Sequence, residues 1–192
     1  MTRNTNRLLI LLLVTGSVAG LSFMENPVRS KVSEIFLGLS PAVTMDAIRA
    51  ELTGNPDFLL YEDPNRNPKT SVVGKVNEYK HLNKAAIGNQ LIVALAPSSN
   101  PRQEVITFTW LIHYKMEDLA IALVDFDKFK AEFKPLFGSS TVSREIGYER
   151  EEIEALLLKS GTTEITLKMI KSNNLRHTLS MQYKEIRRKK RH

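Results

Sequence analysis

Cysteine is absent from the 192 residues. The fold therefore stands without disulfides, even in a compartment that would permit them. No lipid can be attached to a cysteine behind an export signal. The glycosylation triplet Asn-x-Ser/Thr is also missing: Asn26, Asn55, Asn67 and Asn100 precede Pro, and the other Asn residues lack Ser or Thr two positions on. Catalytic signatures are missing as well. The four histidines, His81, His113, His177 and His192, form no HExxH, and none lies three or four residues from another. There is no Gly-x-Ser-x-Gly and no glycine-rich phosphate loop. Gly138-Ser139-Ser140 follows a helical stretch, where a phosphate loop would precede one, so it reads as a helix end and turn. Neither a metal nor a cofactor is expected. A nonenzymatic protein is favoured over an enzyme of unfamiliar type built on scattered acids and His113 or His177.

The clearest positive feature is the N-terminus. Arg3 and Arg7 carry charge with no acid nearby, and Leu8 to Phe23 then runs sixteen residues without a charge. A basic start, an apolar block and small residues at its end make an export signal. Ser17-Val18-Ala19 presents small or β-branched residues for cleavage before Gly20, and Val18-Ala19-Gly20 offers a second register. The rival is an uncleaved anchor. At about 1.5 Å per residue the run reaches roughly 24 Å, short of a hydrocarbon core about 30 Å thick. Both readings put the body outside the cytoplasm, in the periplasm or secreted, because Arg3 and Arg7 stay inside.

Charge is placed at the two ends. The chain is +6 overall, yet Lys184 to His192 holds +5 and Arg3 with Arg7 another +2, leaving the body near −1. A nucleic-acid-binding domain would spread Lys and Arg over one face among aromatics. Nucleic acid is therefore not an expected partner. Residues 184–192 read as a disordered basic tail. Arg187, Arg188, Lys189, Lys190 and Arg191 are its candidate contacts to an anionic membrane surface, at about 1 kcal/mol per basic residue. The alternatives are contact with anionic polymers such as lipopolysaccharide or nucleic acid, and a solubilising tail without a partner.

Between the ends, residues 25–183 read as one α+β domain, large enough for its own core. Lys31 to Leu39 predicts a short helix. Thr44 is a good N-cap for a helix from Met45 to Leu52, with Met45, Ile48 and Leu52 on one face and Gly54 and Pro56 stopping it. Phe58 to Tyr61, Val72 to Tyr79 and Thr141 to Tyr148 predict strands, and His81 to Gly88 is ambiguous. Gln90 to Ala96 and Glu104 to Tyr114 form a hairpin around a Ser/Pro turn. The second of these strands carries apolar bulk on both sides and should be central. Leu119 to Val124 reads as strand or helix, and from Asp125 the spacing of Phe126, Phe129 and Phe133 is helical. Asp125 and Asp127 then stand near that helix's start, where the dipole favours acids. Glu149 to Lys159 reads as helix or as loop and strand. Thr163 to Ile170 and Arg176 to Tyr183 form a last hairpin. The expected fold is an antiparallel sheet of hairpins with amphipathic helices on one face. Phe108 and Trp110, the lone Trp, read either as core or as an exposed protein-binding anchor.

Two segments are alike. Met45-Asp46-Ala47-Ile48-Arg49-Ala50-Glu51-Leu52 lies over Phe126-Asp127-Lys128-Phe129-Lys130-Ala131-Glu132-Phe133 with three identities. Each is followed by extended segments and a hairpin, ending in Ile112-His113-Tyr114-Lys115 and Met181-Gln182-Tyr183-Lys184. Such self-similarity suggests tandem repeats over 28–115 and 116–183. Leu39, the helix from Thr44 to Leu52, Gly54 and Pro56 resemble the opening of the small outer-membrane-assembly lipoproteins, and a tandem pair of such units resembles the β-lactamase inhibitor protein fold. The chain departs from the lipoproteins by lacking the lipid-bearing cysteine. The resemblance implies a noncatalytic envelope or inhibitor module that binds protein through one sheet face.

Overall fold

The computed structural model describes residues 26–77, 85–147, 150–172 and 175–189. The N-terminal stretch read as an export signal, Lys190, Arg191 and residues 81–84 of the ambiguous stretch lie outside the described residues. Helix α1 spans Pro27–Ile35 and α2 spans Met45–Gly54. Strands β1 (Phe58–Leu60), β2 (Ser71–Val76), β3 (Ala86–Pro97) and β4 (Gln103–Tyr114) follow. Helix α3 (Leu119–Phe133) leads to β5 (Ser139–Ile146), β6 (Glu152–Ser160), β7 (Thr163–Lys171) and β8 (His177–Arg188). All eight strands form one antiparallel sheet in the order β1-β2-β3-β4-β8-β7-β6-β5. The expected α+β class is what the structure has, with β4 central. None of these helices is long and apolar enough to cross a membrane.

The caps explain where the helices begin. Asn26 accepts from the Val28 amide at 3.0 Å and Pro27 takes the first helical position, where its missing N–H costs nothing. The helix thus starts four residues before the expected Lys31. It stops at Leu37 and Gly38, whose φ values are 58° and 80°. Thr44 caps α2 as expected, its hydroxyl accepting from the Ala47 amide at 3.3 Å. Helix α3 takes in the whole apolar run from Leu119. Asp125 therefore lies mid-helix, not at the start, and is buried, where its carboxylate accepts the Tyr114 hydroxyl at 2.8 Å. Asp127 is exposed and pairs with Lys130 at 2.6 Å. Glu149 to Lys159 resolves toward a strand, β6, from Glu152 onward.

The three described helices cover the same sheet face. Phe108, Trp110 and Tyr114 on β4 and Leu179, Met181 and Tyr183 on β8 meet Phe36, Ile48, Phe126 and Phe129 in a single core. The Phe36 ring lies 5.5 Å from that of Phe108 and 6.3 Å from that of Trp110. Two meanders, β1–β4 and β5–β8, each preceded by helix, meet at β4–β8. Leu111 faces Ser180 there, 69 positions away, and Tyr114 and Tyr183 are also 69 apart. Each Tyr sits three residues from that central pair, opposite His177 and Phe108 respectively. Both rings are fully buried and both hydroxyls donate to a carboxylate. The two meanders thus meet through the β4–β8 ladder.

Candidate functional site

Strand alternation sorts side chains by face. On β4 and β8 the residues Val105, Thr107, Thr109, Leu111 and His113, and Thr178, Ser180, Gln182, Lys184 and Ile186, face away from the helices and are half-buried. No described helix covers this side. Its centre is a polar ladder: Gln182 donates to the Thr109 hydroxyl at 3.2 Å, and His113 Nδ1 lies 3.1 Å from the Thr178 hydroxyl. Apolar Leu111 on β4 stands beside it, and Ile170 on β7 and Ile153 on β6 continue the row of His113 and Thr178. Burial, and secondarily the charge of Arg176, hold the His113 imidazole below its ordinary value. A half-buried surface of hydroxyl, amide and apolar side chains, with His113 and Lys184 among them, can hydrogen-bond and pack against another protein.

Phe108 and Trp110 are not part of that surface. They point to the helix side and are 0% and 3% exposed, and the Trp110 indole donates to the Asn89 side chain at 3.3 Å. The reading of these two as an exposed anchor is corrected: their even-numbered register on β4 directs them into the core.

His113 and His177 come close in the sheet but on opposite faces, because Thr178 is the partner of His113 and His177 that of Tyr114. They form no joint site. His177 is buried, with Nε2 3.0 Å from the Met116 carbonyl and Nδ1 without a hydrogen-bond partner. Among the described residues no cluster of His and acids could hold a metal ion. Glu152 is exposed, while Glu154 is half-buried 3.4 Å from Lys130.

The chain matches no protein family, no curated protein and no solved structure with which it was compared.

The basic end is more ordered than expected. Residues 184–188 are not a disordered tail; they continue β8 against β4, with Arg188 opposite Gln103. The ladder extends because β4 starts equally far out. Arg187 falls on the helix side, where its guanidinium reaches Glu104 at 2.8 Å and donates to the Pro41 and Val43 carbonyls. It fastens the loop before α2 and is engaged internally rather than offered to a membrane. Arg188 and Lys189 are exposed. They border an open cleft of about 460 Å³ that is also lined by Arg29, Thr44, Asp46 and Lys69. Behind it, Glu185 is buried on β8 and accepts from Arg29 and from the Tyr183 hydroxyl. Burial first, then the bond to Glu185, push the Tyr183 hydroxyl well above its ordinary value. Sequence reading missed this network, because Arg29 and Glu185 are 156 positions apart.

Proposed function

We propose that this is an exported, nonenzymatic protein-binding module that engages its partner through the open face of the sheet. One observation carries the reading: an eight-stranded sheet with helices on one side and, on the other, a half-buried surface of Thr, Ser, Gln and branched apolar residues with His113 and Lys184. A face of this chemistry resembles a protein interface, whose area is mixed polar and apolar. Export rests on Arg3, Arg7 and the apolar run from Leu8 to Phe23. The lipoprotein-like motif from Thr44 to Pro56 supports an envelope setting.

The test is capture of envelope proteins by the exported chain and by a Thr109→Arg, Gln182→Glu variant. Both positions are half-buried on the open face, so the variant should melt as the parent does. A partner retained by the parent and lost by the variant supports the reading. A partner held equally by both puts the interface elsewhere, and no specific partner under any envelope condition refutes the reading. N-terminal sequencing tests export separately: a chain still starting at Met1 or Thr2 in the membrane fraction would mean an anchor.

A further inference from the structure

The cleft at the outer ends of β4 and β8 carries charge that its own acids do not balance. Arg29 is met by Glu185, and Arg187 by Glu104 at 2.8 Å. The remaining charged side chains on its wall are Lys69, Arg188 and Lys189 against Asp46, a net of +2. These three cations come from two distant chain segments, the loop before β2 and the end of β8, and all three are exposed. The floor is fixed: Arg187 ties β8 to the carbonyls of Pro41 and Val43, and the Lys189 amide donates to the Arg102 carbonyl at 2.9 Å. The cleft, at about 460 Å³, falls in the usual range of small-ligand sites, about 300–1,000 Å³.

We propose that this cleft binds a phosphate group, with Arg188, Lys189 and Lys69 as its ligands. A phosphate ester carries about −1.5 to −2 at neutral pH, which matches the unbalanced +2; a single carboxylate would leave half of it unmet. The Arg188 guanidinium supplies a planar fork that suits two phosphate oxygens, and the two ammonium groups add point charges. The proposal is independent of the open sheet face and places Lys69 in the site, a residue 115 positions before Lys184 and outside the basic end altogether.

Titration of the exported chain with inorganic phosphate, and flotation with phosphatidylcholine vesicles with and without phosphatidic acid, test it. The expected result is saturable binding of one phosphate per chain, weakened at least about tenfold by Lys69→Glu or Arg188→Glu. A melting curve confirms that each variant is folded. Truncation after Lys189 should leave phosphate binding in place. If the acidic vesicles are bound and inorganic phosphate displaces them, the phosphate belongs to a lipid headgroup; if phosphate binds and vesicles do not, it belongs to a free ligand. The proposal is overturned if neither probe binds saturably, or if truncation abolishes vesicle binding while Lys69→Glu binds as the parent does. That second pattern would assign the affinity to the last residues alone.

Discussion

Replacing Arg29 by Ala should destabilise the protein out of proportion to one surface arginine. Glu185 is 4% exposed in its side chain, and Arg29 and Tyr183 both donate to it. Deleting one partner of a buried ion pair leaves an uncompensated charge, at a cost of about 3–5 kcal/mol. The Arg29 side chain is itself 39% exposed, so water would reach part of the vacated space. The expected loss is therefore about 2–3 kcal/mol, below the fully buried case. It should far exceed the loss of an exposed pair such as Lys115–Glu117, 3.8 Å apart, which should be at most about 1 kcal/mol. Desolvation also predicts a contrast. An Arg29→Met, Tyr183→Phe, Glu185→Leu variant removes charge and hydroxyl together and should recover most of the loss, since apolar replacement of a buried network is often neutral. Urea titration followed by Trp110 fluorescence reads both, because that sole tryptophan is buried in the core that Phe36 shares. A loss under about 1 kcal/mol for Arg29→Ala, or a triple variant no more stable than Arg29→Ala, would refute the reasoning.

Phe108→Ala empties a fully buried ring site beneath Phe36 and should cost about 3–5 kcal/mol. Thr109→Val, one residue away on the open face, should change the urea midpoint little. Gly74→Ala should displace β1: a Cβ at Gly74 would lie 2.6 Å from the Leu59 carbonyl oxygen and closer still to the Phe58 ring. Hydrogen exchange should then show lost protection in β1 and β2 while β7 and β8 keep theirs. His113 has its folded value lowered from 6.5 by burial and then by Arg176. Its contribution to stability is thus present above the unfolded value and lost as pH falls through the folded one. His113→Gln should flatten the stability profile below about pH 6.5; an unchanged acid limb would remove His113 as its cause.

Local chemistry made much of the fold legible. The Thr44 cap, Gly54 and Pro56 bounded α2 within two residues, because capping is decided inside one turn. The two-residue period of Val105 to Ile112 marked β4 and its central place. Legibility failed where neighbours in space outweigh neighbours in sequence. Leu119 to Val124 fits strand or helix by composition, and the helix forms where Ala122 packs into the core with Phe126 and Phe129. The basic end read as a tail because charge suggests solvent, yet a ladder partner at Gln103 to Thr107 holds residues 184–188 in the sheet. For the candidate site, the open-face residues were visible as an alternation, but which alternation faced the helices was not.

By itself the sequence determined the basic start with its uncharged run, the absence of disulfides, the hairpins, the Thr44 cap and the near-neutral body. These depend on composition and on contacts within a few residues. Only the tertiary structure decided that β4 and β8 join the two halves, that Phe108 and Trp110 point inward, that His113 and His177 lie on opposite faces, and that Arg29 meets Glu185. Strand order and facing are set by which surfaces bury together across long chain separations, and no local pattern encodes that choice.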